Sequence, residues 1–324
     1  MSGAAWGGDP LRIAVVGAGG VGGYLGSRLA AAGGDVAYIA RGAHLDALRS
    51  SGLTIVGADG TSVTTPVRAT ADAAEIGPVD LVVFTVKSYD TESAAAGLGP
   101  LIGDGTVVLS LQNGIDNESK IAAVVGERHV IGGAAYILAS IQGPGVIRSG
   151  SARIVIGELT PGPPTDRVRR IAALATVGGV PAVAVEDVRV AKWEKYVLLV
   201  AFAAVSAGTQ LPLGDIRRSE AAVRMLRSVM AEAGTVGRAL GIPLADDLVD
   251  RQHALVLAQA DDEGTSLRHD LLHGRRMEVD ALQGTLSRLG RETGVPTPWT
   301  DAAFAILDPW AIRHSASRAK EALR

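Results

Sequence analysis

The chain has 324 residues, 47% of them hydrophobic and 20% charged, enough for about two domains with sizeable cores and too apolar for wholesale disorder. A net charge of −3 gives no electrostatic reason to bind nucleic acid. The absence of cysteine removes disulfides, thiolate metal sites and a cysteine nucleophile. The mean hydropathy of +0.25 raises the question of a membrane span. The longest apolar run, Tyr196 to Ala207 broken only by Ser206, falls short of the ~20 residues such a span needs. Residues 1–10 lack a basic region followed by an apolar stretch, so they read as a loose tail rather than a signal peptide, and a cytoplasmic location is the default.

Leu11 to Val16 is a continuous apolar run ending in glycine, which suits a buried parallel strand. A helical pattern through Tyr24, Leu25, Leu29 and Ala32 follows and stops at Gly33-Gly34. Val36 to Ala40 is the next strand. Leu53 to Val56 and Ser62 to Val67 flank Asp59-Gly60, a hairpin signal. Asp80 to Val86, Thr106 to Leu111, Val130 to Ala135 and Ile154 to Ile156 add apolar, β-branched runs, and Val180 to Val185 closes the series. Strands alternating with helical stretches predict an α/β domain with a mostly parallel sheet over residues 11–187. From residue 188 to 324 the pattern turns all-α. Val188 to Ala207, Ser219 to Leu240, Ala245 to Ala260, Ser266 to His273 and Arg276 to Thr293 read as helices. The apolar faces of this second domain exceed what one neighbouring face can cover, so a homodimer is expected.

Gly17-Ala18-Gly19-Gly20-Val21-Gly22 fits G-x-G-x-x-G and stands between an apolar strand and a helix, the context the motif requires. Gly17 permits the tight turn, Gly19 lets backbone approach a pyrophosphate, and Gly22 lets helix and strand pack closely. Amides at the helix N-terminus, from Gly20 and Val21 onward, would hold the anion. At the end of the second strand an NAD site carries an acidic residue for the ribose 2′-OH. Here the chain reads Tyr38-Ile39-Ala40-Arg41-Gly42. Arg41 can pair with a 2′-phosphate, so the expected cofactor is NADP(H).

Taken with that loop, four further blocks resemble the ketopantoate reductase (2-dehydropantoate 2-reductase) family. They are Phe84-Thr85-Val86-Lys87, Leu111-Gln112-Asn113-Gly114, Lys192-Trp193-Glu194-Lys195, and the stretch from Ser266 through Gly274-Arg275-Arg276-Met277-Glu278-Val279-Asp280 to Gly294-Val295-Pro296-Thr297-Pro298. The resemblance implies a Rossmann-type domain followed by a helical one, a cleft between them as active site, and reduction of the 2-oxo group of ketopantoate by NADPH. It implies that Lys195 is the catalytic lysine, that Glu278 binds the substrate hydroxyl, and that Asn113 lies near nicotinamide and lysine. It places Lys87 on the cofactor side and Ser266 at the substrate carboxylate. The chemistry is coherent, because hydride delivery leaves negative charge on oxygen and a neighbouring ammonium can stabilise and protonate it.

The chain departs from the family at three positions. Asparagines expected four and eight residues beyond the lysine, on its helix face, are Leu199 and Ala203, and a third, five residues after the glutamate, is Gln283. A more apolar wall beside Lys195 makes a less polar ketone, 2-oxo acid or imine an alternative small-molecule substrate. A non-catalytic NADP-binding sensor is a further alternative. His269-Asp270-Leu271-Leu272-His273 approximates a zinc-protease motif, but with aspartate for glutamate and no third ligand nearby, so no metal is expected. Trp193, Trp299 and Trp310 read as packing anchors.

Overall fold

The computed structural model describes residues 10–322, with side chains to residue 316; the expected loose tail lies outside the described residues apart from Pro10. The chain divides into two compact units. One runs to Gln112 and resumes over Asn117–Val188; the other contains Asn113–Asp116 and everything from Arg189 onward.

The first unit contains β1 (Arg12–Val16), α1 (Gly20–Ala31), β2 (Asp35–Ile39), α2 (Gly42–Ser51), β3 (Leu53–Val56), β4 (Ser62–Thr65), β5 (Arg68–Thr70), β6 (Leu81–Phe84), α3 (Thr91–Ala96), β7 (Val107–Ser110), α4 (Asn117–Val125), β8 (Val130–Gly143), β9 (Val146–Glu158), α5 (Asp166–Val177) and β10 (Ala182–Ala184). One sheet takes all ten strands in the order β4-β3-β9-β8-β7-β6-β1-β2-β5, with β10 on β9. Pairing is parallel except for the β3–β4 and β8–β9 hairpins. The central strands alternate between two apolar layers. Ile13, Val15, Leu81 and Val83 face one layer with Leu25 and Leu29 of α1; Ala14, Val16, Val82 and Phe84 face the other with Ala95 of α3 and Ile121 of α4. Burial on both faces explains why these strands are continuously apolar rather than alternating. The β8–β9 hairpin is longer than its two apolar segments suggest. Its outer half, around Leu138 and Ile141, is largely exposed, so Leu138, which continues the apolar run, lies outside the core.

The second unit is helical: α6 (Val188–Thr209), α7 (Leu213–Arg217), α8 (Glu220–Ala239), α9 (Leu248–Leu257), α10 (Ser266–Leu272), a π turn over Asp280–Gly284, α11 (Thr285–Thr293) and α12 (Pro298–Ala322). In α8 the residues Leu226, Val229, Met230, Ala233 and Val236 are buried at helical spacing, and the Ser219 hydroxyl caps its first turn by accepting from the Ala222 amide. They pack with Trp193, Val197, Val200 and Ala201 of α6. Two expectations change here. The helix foreseen from Arg276 begins later: Gly274, at φ +62°, turns the chain, and residues 275–278 are non-helical before the π turn. A final helix, α12, was hidden by prolines; Pro298 stands at its start, where no intrahelical amide bond is lost. No described helix is long and apolar enough to cross a membrane.

Candidate active site

In the sheet unit the loop between β1 and α1 is built by exclusion of side chains. Gly17 has φ +97°, and a Cβ there would stand 2.6 Å from the Val86 amide nitrogen. The carbonyl of Gly17 accepts from the Thr85 hydroxyl at 2.8 Å, which ties the loop to the end of β6. A Cβ on Gly20 would collide with the Ala139 carbonyl of β8, and one on Gly22 with Thr85 and the Gly17 carbonyl. Gly19 differs: apart from its chain neighbours, no heavy atom of the described residues lies within 4 Å of its would-be Cβ. It is the N-cap of α1, with no side-chain cap and no acid in the first turn. The amides that open α1, including that of Val21, therefore meet neither a side-chain cap nor an acid in their own turn. The cradle fits a dinucleotide pyrophosphate.

Arg41 follows β2 as the exposed N-cap of α2 and makes no ion pair with another described residue. Lys87 follows β6 and is partly buried. Behind it lies a polar chain that sequence reasoning missed. The Gln112 amide donates to the Val86 carbonyl at 2.9 Å and to the Thr91 hydroxyl at 2.7 Å; Thr91 donates to Asn117 Oδ1 at 2.9 Å. Thr91 and Asn117 are fully buried. Leaving one of these groups unpaired would cost about 1–3 kcal/mol, so the chain fixes the loop that carries Lys87. Gln112 was visible only as a neighbour of Asn113.

The helical unit brings the ionisable residues together. Asn113, with Gly114 to Asp116, belongs to this unit although the chain around it belongs to the sheet. Ile115 packs on its core, Asp116 meets Arg288 at 3.6 Å, and Asn113 Oδ1 accepts from Lys195 Nζ at 3.0 Å. Lys195 lies in the second turn of α6, between buried Trp193 and Tyr196. Removal of water around the ammonium lowers its pKa to about 8; the charge of Lys192 adds to the fall and that of Glu278 opposes it. Glu278 is buried, and it sits in the non-helical stretch before the π turn rather than on a helix surface.

The remaining candidates divide. Leu199 is partly exposed and shares the Lys195 face of α6, one turn on. Ala203 has no exposed surface and packs inside the apolar core, so it offers nothing open for a substrate to touch. Ser266 is exposed at the start of α10, where Thr265 rather than Ser266 caps the helix, accepting from the Arg268 amide at 3.3 Å. His269 and His273 do share a helix face, with ring centroids 4.1 Å apart, but an Arg275 nitrogen lies 3.2 Å from His269 Nε2, a poor neighbour for a cation. Trp193 packs edge-on to Tyr196 in the core, as a packing anchor should, whereas Trp299 is exposed.

The family model described as ketopantoate reductase PanE/ApbA matches residues 13–161, and its C-terminal counterpart matches residues 187–310. The chain belongs to the ketopantoate reductase family. It is accordingly an oxidoreductase. A 2-dehydropantoate 2-reductase of Mesorhizobium japonicum is 34% identical over 93% of this chain and 98% of that one. One from Halobacterium salinarum is 33% identical over 89% and 95%. The crystal structure of a family member from Ralstonia eutropha superimposes with a TM-score of 0.87 at 34% identity, covering 94% of this chain and all of that one. The family fold extends to a D-mandelate dehydrogenase with a TM-score of 0.87 at 22% identity, a likeness of fold alone.

Proposed function

We propose that this enzyme reduces a 2-oxo acid to the 2-hydroxy acid with NADPH, in the default case 2-dehydropantoate to pantoate, a step of pantothenate biosynthesis. The observation that carries the reading is the cluster of Lys195, Asn113 and buried Glu278, with the lysine lowered to about 8. The glycine loop would hold the pyrophosphate and Arg41 the 2′-phosphate, with Lys87 on the cofactor side. Bound there, NADPH supplies the hydride. Lys195 stabilises the charge that develops on the carbonyl oxygen and gives that oxygen its proton. Asn113 holds the ammonium through its carbonyl oxygen. Glu278 accepts from the substrate hydroxyl, and Ser266 donates to the carboxylate.

A second reading rests on Leu199. An apolar side chain one turn beyond Lys195 favours a 2-oxo acid, ketone or imine with a less polar substituent, since a wall without hydrogen-bond donors loses its preference for polar substrates. Both readings are tested by NADPH consumption against a panel of 2-oxo acids headed by ketopantoate, with Lys195→Ala alongside. We expect kcat to fall about 10²–10⁴-fold in the variant, with NADPH affinity unchanged. NADPH binding without turnover of any panel member would replace the enzyme by a sensor. A homodimer belongs to the same proposal, because α12 exposes Trp299 and Ile306, seven residues apart on one face; a monomeric mass by light scattering would remove it.

A further inference from the structure

The helix that carries Lys195 and the segment that carries Glu278 are joined by two side-chain hydrogen bonds running in opposite directions. The Tyr196 hydroxyl, on α6, donates to the Leu282 carbonyl in the π turn at 2.6 Å. The Gln283 amide, in the π turn, donates to the Val200 carbonyl of α6 at 2.9 Å. Both side chains are buried, Gln283 completely. The Leu282 amide in turn donates to the Glu278 carbonyl at 3.2 Å. A continuous path therefore runs from Lys195 through its neighbour Tyr196, across one hydrogen bond to Leu282, and across a second to Glu278.

The π turn makes this geometry available. Its Thr285 amide reaches back five residues to the Asp280 carbonyl, which widens the helix locally; such turns recur at functional sites. Trp193, edge-on to the Tyr196 ring at 5.5 Å between centroids, holds the phenol in place. Gln283 stays although its Oε1 is buried without a hydrogen-bond partner, an arrangement that an apolar residue would avoid. The donor end of the amide is thus what its place requires.

We propose that Tyr196 and Gln283 are positioning residues that clasp the Glu278 segment to α6 and so fix how strongly Glu278 acts on Lys195. The proposal rests on the reductase reading for its catalytic consequence only. The charged groups acting on Lys195 are Lys192, from its own helix, and Glu278; Asp116, Asp280 and Arg288 act on the neighbouring phenol. Burial pushes the phenol pKa well above its usual value, so Tyr196 remains a donor at every working pH. With the clasp opened, Glu278 relaxes away from Lys195. Its attraction favours the protonated lysine, so the Lys195 pKa falls further.

The test follows Lys195 directly. The chain has five lysines, so ε-carbon-labelled lysine gives a readable NMR titration, with Lys195 assigned by Lys195→Arg. Tyr196→Phe keeps the ring and removes the donor; Gln283→Met keeps the bulk and removes the other donor. We expect each to lower the Lys195 midpoint, and the alkaline limb of kcat/KM with it, by about half a unit. Tyr196→Phe should reduce kcat about tenfold with NADPH affinity unchanged. Tyr38→Phe, which removes a buried hydroxyl with no partner, should change none of these. A Lys195 midpoint unmoved in both clasp variants overturns the proposal, whatever happens to thermal stability. If the wild type turns over no 2-oxo acid, the reductase reading fails, and the lysine titration still decides the clasp.

Discussion

In the sheet unit, the loop after β1 offers a ligand only backbone: four glycines whose missing side chains leave amides and space. In the helical unit, α6 offers a charged group among apolar neighbours, Lys195 between Trp193 and Tyr196. The first arrangement demands steric strictness and little electrostatic work, because peptide amides need not be stripped of an ionic hydration shell. The second demands desolvation of an ammonium, which shows in the lowered lysine pKa. Backbone sites of the first kind fail by collision, and side-chain sites of the second kind trade stability for chemistry. Substitutions should separate the two.

The largest effect is expected at Gly22. A methyl group there meets the Thr85 side chain and the Gly17 carbonyl, and backbone cannot yield as a flexible side chain can. Gly22→Ala should lower stability by about 1–3 kcal/mol and weaken NADPH at least about 100-fold by distorting the cradle. Gly19→Ala is the sharper companion. No described residue crowds that position, so its melting temperature should stay near wild type while NADPH affinity collapses. Thermal melts paired with NADPH titrations check both. Equal loss of stability in the two variants would mean that the loop is merely structural.

The next effect concerns the desolvated lysine. Its pKa moves from 10.5 in the unfolded chain to about 8 in the folded protein. The folded state therefore binds its proton less tightly. Below pH 8 both states are protonated and the whole penalty applies, about 3 kcal/mol. Between about pH 8 and 10.5 the folded protein has lost the proton that the unfolded chain keeps, so this term makes stability rise with pH. Lys195→Met should stabilise the protein at pH 7 by up to about 3 kcal/mol, less what the bond to Asn113 contributes, and should remove that alkaline rise. Denaturant unfolding at pH 7 and pH 9.5 measures it. A variant less stable than wild type at pH 7 would mean that Lys195 is satisfied rather than strained. On the proposed mechanism, in which Lys195 gives the proton, the same pKa predicts an alkaline fall of reductase activity near pH 8.

What could be read in the sequence follows the same division. The strands around Val15 and Val83 and the glycine loop were legible because each is a local pattern: a run of apolar residues, then a spacing of glycines. The β3–β4 hairpin announced itself by Asp59-Gly60 for the same reason. Asn113 was legible as part of a motif, but not as a member of the helical unit, because its bond to Lys195 joins residues 82 apart. Glu278 was placed on a helix because its neighbours suit one; the turn at Gly274 and the π turn set it in a bend instead. Tyr196 disappeared into an apolar run, and Gln283 stood out only as a departure from the family. Their roles depend on which carbonyl each faces, and no periodicity encodes that.

The smallest effect is expected at Arg41, the charged side chain proposed for the 2′-phosphate. The residue is exposed, so water screens whatever it binds, and a charge-assisted contact to a 2′-phosphate is worth about 1.5–2 kcal/mol. Arg41→Ala should weaken NADPH about tenfold to thirtyfold and leave NADH untouched. Arginine is already a poor N-cap for α2, and its side chain caps no amide there, so the substitution should hardly alter stability. The ratio of dissociation constants for the two cofactors therefore isolates the 2′-phosphate. An unchanged ratio would move discrimination to the backbone at the start of α2, where Gly42 holds φ +56°. The sheet unit would then hold both the pyrophosphate and the 2′-phosphate through amides, which would sharpen its contrast with the lysine site.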